Sequence, residues 1–484
     1  MPETAAIRGN EPHLRRVLGR WDLVLLFVVA VVNLNLVPVV AAGGALTLWL
    51  WLLALALFFL PQGIAVIELS HRYPGEGGVY LWTKELFGDF HGFISGWCYW
   101  TNNVFYVPTL LFYLFGISIY VGGEKTLPLG DKPLVVFAAS VMLFWIMVAL
   151  NVRGLGVGKW VNNLGAIGAA IATVVLLGLT GMALARHGSQ IGARDFAMQH
   201  LDWHILPLFG VVCFQLVGLE LGSVMGDEIQ EPRRTVPRAV LWGGVISGAL
   251  LVSATLSLLV ALPSQEIGVV QGVMQAVGRM ASDAGVAWIV APLAFVLCVS
   301  ISGTTSAWLG GSARIPFVAG LDRYLPPALG RLHPKYATPH VALIVHAAAS
   351  TVFIAISFFK ARTVQEAYVT MLTLAVILQL VPFLYMFAGL VRLARRGNAA
   401  DGYYGRRTLW LTGVSGFVVT LLGTVLPFVP SRQIDSILGF EIKLVVGCAV
   451  FLGLAVLLFR VGSARKPARQ REFEYAGAKA TEGK

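Results

Sequence analysis

Residues 21–42, WDLVLLFVVAVVNLNLVPVVAA, form an apolar stretch that is long enough to cross a bilayer but is interrupted in its middle by Asn33, Asn35 and Pro38. Proline removes a backbone hydrogen-bond donor, and asparagine side chains compete for backbone partners. Backbone groups freed in this way find no water in hydrocarbon, so they must face protein, a cavity or a ligand. We therefore expect a broken helix whose break faces the interior of the molecule.

A second apolar stretch, residues 205–226, is interrupted in the same way. It reads ILPLFGVVCFQLVGLELGSVMG, with Gly218, Glu220 and Gly222 at its centre. Two broken helices, five spans apart, are typical of transporters built from inverted repeats, which hold the substrate at both breaks near the bilayer midplane.

The composition of the whole chain is that of a membrane protein. Of its 484 residues 57% are hydrophobic and 13% are charged, and the mean hydropathy is +0.75. Stretches of about 20 apolar residues predict an all-α polytopic protein with 12 transmembrane helices. The twelve segments are roughly 22–43, 46–69, 91–120, 133–150, 160–185, 204–226, 239–262, 286–311, 339–358, 367–391, 408–430 and 440–460.

The basic residues are distributed unequally between the two sides of this predicted topology. The net charge is +11, and 27 of the 36 Lys and Arg residues lie on the side of the two termini. This bias predicts that both termini are cytoplasmic and that the protein lies in the plasma or inner membrane. It also accounts for the positive net charge without a nucleic-acid partner. Residues 1–20 form a basic N-terminus, and residues 461–484 form a basic tail that we expect to be disordered.

Three loops carry a resemblance to the amino acid/polyamine/organocation permeases. Residues 68–100, ELSHRYPGEGGVYLWTKELFGDFHGFISGWCYW, resemble the link between the family's second and third spans; in them we expect a tight turn and an amphipathic interfacial piece anchored by Tyr80 and Trp82. Residues 226–239, GDEIQEPRRTVPRA, and 313–343, ARIPFVAGLDRYLPPALGRLHPKYATPHVAL, resemble two later cytoplasmic loops.

The branch within that family is indicated by two further stretches. Residues 58–82, FFLPQGIAVIELSHRYPGEGGVYLW, and 268–276, GVVQGVMQA, resemble the glutamate/GABA antiporters. The resemblance implies a LeuT-like fold of five helices, an inverted copy and two more. The 12-helix domain of residues 21–460 then divides into repeat one (21–185), repeat two (204–392) and helices 11–12 (408–460).

The two breaks supply the first candidate substrate-binding residues. Asn33, Leu34 and Asn35 stand where the family usually has Gly-Ser/Ala-Gly, and Gly218 lies opposite. Helix ends present unpaired amides to a carboxylate and unpaired carbonyls to an ammonium group. The alternative role of the asparagines is to join helices by hydrogen bonds.

Aromatic residues supply the remaining candidates, on the strength of the resemblance. It implies that Phe214 is a gate over the substrate, that Asn103 and Tyr106 contact substrate from span three, and that Trp308 stacks on it. An aromatic ring can attract a substrate ammonium by a cation–π interaction. We expect Trp97 and Trp100 on the same face as Asn103 and Tyr106. The alternative for each aromatic residue is packing between helices.

Glu220 is the sharpest single signal in the sequence. A carboxylate at the centre of a span costs about 2.5–3.5 kcal/mol, so it must be paired, protonated or functional. Because burial disfavours a charged carboxylate, we expect a proton-linked role, as the resemblance to arginine/agmatine antiporters also implies. Alternatively, Glu220 only hydrogen-bonds the loose backbone at the break.

Charged residues crowd the end of the sixth span. Asp227, Glu228, Arg233 and Arg234, with Glu231 and Arg238 nearby, are expected to form a cytoplasmic gate whose ion pairs rearrange; a solvated loop is the alternative. Residues 161–185 hold no lysine, which argues against coupling through a lysine in span five. Ser302, Thr304 and Thr305 are weak candidates for a sodium site.

Motifs for other chemistry are missing from the sequence. His340 and His346 lack the spacing of a helical metal pair, and no P-loop, nucleophile elbow or dinucleotide fingerprint occurs, so we expect no metal, no cofactor and no enzymatic activity. We expect a secondary transporter that moves amino acids or related amines across the bilayer by antiport, as a monomer or homodimer. The alternatives are a proton-coupled amino acid or polyamine symporter and, in another class, a transporter-like sensor or channel.

Overall fold

The computed structural model describes residues 16–123, 126, 132–197, 205–360, 364–396, 402–429 and 437–465. The expectations for residues 1–15 and 466–484 fall outside these ranges. The helices are α1 (Arg20–Val31), α2 (Val37–Ala41), α3 (Thr47–Ala54), α4 (Leu60–Arg72), α5 (Val79–Phe87), α6 (Asp89–Ser118), α7 (Pro133–Val152), α8 (Leu155–His187), α9 (Pro207–Gln215), α10 (Leu221–Val224), α11 (Pro232–Ala261), α12 (Gly272–Asp283), α13 (Val290–Ser312), α14 (Arg314–Leu321), α15 (His340–Lys360), α16 (Val364–Arg396), α17 (Arg406–Val425) and α18 (Ile437–Arg465).

Long apolar helices dominate the described part of the chain, which contains no strand. Each of the twelve predicted segments overlaps one helix or a pair of consecutive helices. Within the described residues seven spans are long and apolar enough to cross a membrane: Thr47–Arg72, Gly156–His187, Pro232–Ala261, Ala287–Leu321, Tyr368–Arg396, Arg406–Phe428 and Leu438–Arg465. Phe137–Val152 and His340–Ala355 are shorter apolar helices. The protein is therefore an all-α, multi-pass membrane protein.

Both predicted helix breaks are present, and each is five residues long. Residues 32–36 separate α1 from α2, and residues 216–220 separate α9 from α10. Pro38 lies in the first turn of α2, where its missing N–H costs no intrahelical hydrogen bond. Gly218 has φ +143°, a left-handed value that side chains disfavour.

The helices that follow the two breaks pack in a matching pattern. α8 lies along α13, and α6 lies along α16. The contact of α8 with α13 is unusually close, since a methyl group on Gly165 would lie 2.6 Å from the Cα of Gly303. A short helix follows the second span of each half: α5 after α4, and α12 after α11.

The expected tight turn before α5 docks on the end of the second broken helix. Glu76 pairs with Met225 as an isolated bridge, and the Gly77 N–H donates to the Val224 carbonyl at 3.0 Å. The expectation that Tyr80 and Trp82 anchor α5 in the membrane interface is wrong, because both side chains are 1% exposed. Both side chains lie in the protein interior, where the Trp82 indole N–H donates to the Tyr73 carbonyl.

Candidate functional site

The two breaks lie against each other in the middle of the molecule. A methyl group on Gly218 would lie 2.9 Å from Val31 Cγ2 and 3.0 Å from the Ala30 carbonyl carbon, so the second break touches the end of α1. The Gln215 amide donates to the Asn33 carbonyl at 3.0 Å. Two features therefore require glycine at position 218: its left-handed backbone angle and this close approach to α1.

Side chains from other helices satisfy the carbonyls that α1 leaves free at its end. The Thr304 hydroxyl donates to the Val29 carbonyl at 3.0 Å, and the Trp308 indole N–H donates to the Ala30 carbonyl at 3.2 Å. Asn33 Nδ2 also donates to the Ala30 carbonyl, at 2.9 Å. A helix end buried without such donors would be destabilising. Trp308 therefore stabilises the break, in addition to the stacking on substrate expected from the sequence.

The middle of the first break is surrounded by tyrosines. Asn35 accepts from the Tyr106 hydroxyl at its Oδ1, at 3.5 Å, and its carbonyl accepts from the Tyr368 hydroxyl at 3.2 Å. The Leu34 carbonyl accepts from Tyr113 at 3.4 Å. All of these residues are at most 2% exposed, so the site is closed to solvent.

The aromatic candidates meet at the breaks. Tyr106 packs edge to face on Phe214, with ring centroids 5.0 Å apart, and on Trp308 at 6.2 Å. Tyr99 packs on the other side of Trp308 at 6.3 Å. The rings of Phe214, Tyr106, Trp308 and Tyr99 thus pack in a row, which we call the aromatic wall.

Four amide side chains leave an oxygen without a partner in this region: Asn33, Asn103, Gln215 and Gln62, whose nitrogen donates to Glu220. Asn103 donates from Nδ2 to the Tyr99 carbonyl at 3.0 Å, and its Oδ1 has no partner. Asn33 Oδ1 and Gln215 Oε1 are likewise buried and unpaired, while the nitrogen of each amide donates to a backbone carbonyl. Each amide is thus oriented with its acceptor free, and a buried acceptor without a donor costs about 1–3 kcal/mol.

Glu220 is fully buried beside the second break. One carboxylate oxygen accepts from the Gly218 N–H at 2.9 Å and from Gln62 Nε2 at 3.0 Å, and the other accepts from the Tyr99 hydroxyl at 3.0 Å. These donors are all neutral. The carboxylate therefore holds the loose backbone in place and also contacts the aromatic wall through Tyr99.

The expected common face of α6 does not exist. The Trp97 indole donates to the Phe451 carbonyl in α18, and Trp100 packs on His346 in α15. Spacings of three residues drift around a helix, so that nine residues at about 100° each place Trp97 opposite Tyr106. The face that meets the breaks carries Tyr99, Asn103, Tyr106 and Tyr113 instead.

One end of the molecule is closed by a buried ion cluster. Arg314 Nε lies 2.5 Å from Glu228 Oε1 and 3.3 Å from Glu76 Oε1, and the three side chains are 4–7% exposed. We call Glu76, Glu228 and Arg314 the Arg314 cluster. The N–H groups of Val17 and Leu18 both donate to the Glu228 carbonyl at 3.0 Å, so the start of the chain lies across the same end.

The other candidate gate residues are placed differently. Asp227, Arg233 and Arg234 are exposed, and Arg234 faces only Glu231 at 3.8 Å. Of the four candidates, Glu228 alone joins the Arg314 cluster by its side chain; Asp227 takes part through its backbone N–H, which donates to Glu76 Oε2 at 3.1 Å.

Burial raises the pKa of Glu76 well above its usual range, and the neighbouring Glu228 carboxylate adds to the increase. Arg314 opposes both effects without cancelling them. Desolvation is the larger cause of the raised pKa, and the second is that two buried carboxylates share one guanidinium.

The weak sodium candidates donate their hydroxyls to backbone carbonyls. Ser302 donates to Cys298 and Thr305 donates to Ile301, both one turn earlier, as hydroxyls in helices commonly do. In the described residues no group of three or more His, Cys, Asp or Glu side chains is placed to hold a metal ion.

Several residues of the site were missed from sequence. Gln62, Tyr99, Gln215, Tyr368 and Arg314 all contact the breaks or the Arg314 cluster. Gln62 and Gln215 are polar residues inside apolar spans, a signal that could have found them. The tyrosines and Arg314 carry no such mark, since these residues are common near membrane surfaces.

Comparison with known proteins gives one family and several relatives. A family model described as "Amino acid permease" matches residues 18–453. An uncharacterized transporter of Legionella pneumophila is 26% identical over 91% of this chain and 96% of its own length. A probable agmatine/putrescine antiporter of Lactococcus lactis is 20% identical over 83% of this chain and 86% of its length. A glutamate/gamma-aminobutyrate antiporter of the same species is 21% identical over 78% and 77%.

Proposed function

The chain belongs to the amino acid permease family, and from that premise we propose that it is a secondary transporter that exchanges amino acids or related amines across the plasma or inner membrane by alternating access. The resemblance seen in the sequence is thereby confirmed at the level of the family. Relatives named as antiporters for agmatine/putrescine and for glutamate/gamma-aminobutyrate support exchange and a substrate that carries an amine.

The proposed topology has twelve spans in two inverted repeats of five plus two. Seven long apolar spans and two shorter apolar helices account for nine of the twelve. The other three are α6 and the two broken pairs, α1–α2 and α9–α10, whose separate helices are each too short to cross a bilayer. The equal length of the breaks, the matching pairs α8–α13 and α6–α16, and the helices α5 and α12 support the repeat. The excess of basic residues favours a cytoplasmic position for the end that holds the Arg314 cluster.

The observation that carries the proposed function is the set of unpaired acceptors at the breaks. Asn33 Oδ1, Asn103 Oδ1 and Gln215 Oε1 are buried, oriented and without donors. A substrate ammonium group supplies three N–H donors, and the aromatic wall beside them can stabilise its positive charge. We assign the ammonium end of the substrate to this position, with Trp308 and Phe214 enclosing its chain.

The transport cycle follows from the closed arrangement. The site is buried, so one end must open for substrate to enter, and the Arg314 cluster must separate for release toward the cytoplasm. Glu220 touches both the second break and Tyr99 of the aromatic wall, so a change in its protonation would alter both. We therefore give it the role of making exchange sensitive to pH.

Counterflow in proteoliposomes tests this function. Vesicles are loaded with unlabelled amino acids and amines, and the entry of labelled candidates is followed with and without a pH gradient. Exchange requires internal substrate and proceeds without the gradient. The Asn103→Leu variant, which replaces the amide by methyl groups on the same branched skeleton and so removes one unpaired acceptor, is expected to weaken uptake of amines; Asn162→Leu in α8, at another buried amide whose oxygen is unpaired, is the matched control.

Other results would point to the alternatives. Uptake that needs the gradient and no internal substrate would favour a proton-coupled symporter, and flux that does not saturate would favour a channel. Tight binding without flux would favour a sensor. Amine uptake unchanged in Asn103→Leu would contradict the assignment of the ammonium position.

A further inference from the structure

An apolar groove of about 400 Å³ runs along the outside of the molecule between α4 and α11. Its walls include Ile64 and Ile67 of α4 and Leu241 and Val245 of α11. Leu241 and Val245 are 61% and 58% exposed, so they face the hydrocarbon of the bilayer. The floor is formed by Leu219, the neighbour of Glu220 in the second break.

The groove is built into the fold by an irregular helix. Leu55–Phe59, between α3 and α4, is a π-helical turn, and Pro61 follows it. Proline cannot donate to the preceding turn and would clash with its carbonyl in a regular helix, which the wider turn avoids. Leu55 and Phe59 of this turn both line the groove, so the irregularity shapes it.

A fixed aromatic residue lines one end of the groove. Tyr404 lines the groove, and the N–H groups of Tyr403 and Tyr404 both donate to Glu68 Oε2 at 2.9 Å. Arg72 donates to the other oxygen of Glu68 at 2.6 Å. This end of the groove lies on the side of the Arg314 cluster, where α4 ends and α11 begins.

Two exposed arginines continue the groove beyond its apolar part. Arg234 lies four residues before Arg238, and Arg238 lies three residues before Leu241, so all three lie on one face of α11. The ion pair of Arg234 with Glu231 is long and exposed, and such pairs hold their partners weakly. Positive charge is thus placed where a lipid headgroup would lie above the apolar groove.

The length of the groove matches one leaflet. From Arg238 to Gly248, which lines the far end, ten residues of helix span about 15 Å. This is half of a hydrocarbon core of about 30 Å. One acyl chain of a lipid in the leaflet on the Arg314 side therefore fits along it.

We propose that this groove is a binding site for an anionic phospholipid, with an acyl chain between α4 and α11 and the phosphate at Arg234 and Arg238. The chain touches Leu219, so the bound lipid supports the backbone next to the second break. This site is separate from the substrate site and does not depend on which substrate is transported.

Lipid retention measured by native mass spectrometry tests the proposal. The full-length protein in detergent is titrated with phosphatidylglycerol or phosphatidylcholine of the same chains, and with glycerol phosphate as a free headgroup. We expect phosphatidylglycerol to be retained over phosphatidylcholine. Arg234→Gln/Arg238→Gln is expected to lower its binding roughly fivefold for each arginine.

A second variant tests the apolar part. A Cβ on Gly244 would meet Phe59 at 3.6 Å, an ordinary contact, so Gly244→Leu fills the groove without straining the backbone and is expected to abolish the retention. Arg233→Gln, on another face of α11, and Gly178→Leu, at an open position of α8, are the matched controls. Folding is checked by size-exclusion chromatography.

Several results would overturn the proposal. They are equal retention of the two lipids, equal losses in a variant and its control, competition by glycerol phosphate alone, and full retention in Gly244→Leu. A change from dimer to monomer in Gly244→Leu without a change in lipid binding would assign the groove to a second copy of the chain.

Discussion

Single residues at the breaks combine structural and proposed functional duties. Trp308 both satisfies a carbonyl of α1 and belongs to the aromatic wall. Glu220 both holds the Gly218 N–H and contacts Tyr99. A substitution is therefore informative about transport only if it changes the proposed functional role of the residue and leaves its structural role intact.

Glu220→Gln separates them for the carboxyl group. A glutamine oxygen can accept from Gly218 and Gln62, and its nitrogen can donate to the Tyr99 hydroxyl, so every contact is retained. We expect an unchanged melting temperature and a flattened dependence of exchange on pH, measured by counterflow between pH 5 and 8. Glu220→Leu leaves the buried Gly218 N–H unpaired and should lose about 1–3 kcal/mol of stability. A pH profile like that of the wild type in Glu220→Gln would remove Glu220 from the proton-linked role.

Two substitutions of Trp308, to Ala and to Phe, distinguish the contribution of its aromatic ring from that of its indole N–H. Alanine removes the aromatic contact and is expected to weaken substrate binding by about 1 kcal/mol or more. Phenylalanine keeps the ring, and Asn33 still donates to the Ala30 carbonyl, so we expect most of the affinity to remain. Isothermal titration with a substrate found by counterflow measures both; wild-type affinity in Trp308→Ala would assign this residue to packing alone.

The broken helices show which elements can be read from sequence. Asn33 and Gly218 act on their own backbone, so they identified both breaks before any contact was known. Gln62, Tyr99 and Tyr368 act on residues far along the chain, and only packing brings them together. The error at Trp97 and Trp100 came from extending a spacing of three residues over more than two turns.

The structure separates the gate candidates for a related reason. Arg233 and Arg234 stand close to Glu228 in sequence, but Arg314 reaches it from α14. A helix that begins at Pro232 turns the two nearer arginines outward. Sequence distance between opposite charges is thus a poor guide where a new helix starts.

Gly218→Ala tests the second break as an element. The left-handed φ of +143° and the approach of Val31 at 2.9 Å both oppose a side chain. We expect a loss of about 1–3 kcal/mol of stability, measured as a lower melting temperature in detergent. Gly178→Ala, which meets nothing within 4 Å, should be neutral or slightly stabilising. Equal effects of the two changes would show that the breaks do not pack as described.

At the scale of the molecule, closure of one end depends on a charge imbalance. The Arg314 cluster buries two carboxylates and one guanidinium, and the raised pKa of Glu76 means that the closed form binds a proton which the exposed form releases. The stabilisation is fully present below the ordinary pKa of 4.5 and is lost as the pH rises through the raised value. Acid therefore favours closure of this end.

Glu76→Gln is expected to remove this dependence. Its oxygen still accepts from the Asp227 N–H, while the imbalance of charge disappears. Relative to the variant, the wild type should lose stability as the pH rises, measured by thermal unfolding between pH 5 and 8. Glu266→Gln, the same change at an exposed carboxylate away from the Arg314 cluster, is the control. Parallel curves for wild type and Glu76→Gln would contradict the role of Glu76.

The close approach of α8 and α13 at Gly165 and Gly303 has a mechanical consequence. Backbone meets backbone there, since a Cβ on either glycine would lie 2.6 Å from the Cα of the other. The spacing of α8 and α13 is therefore set by two missing side chains, and a single methyl group at either glycine would push the helices apart.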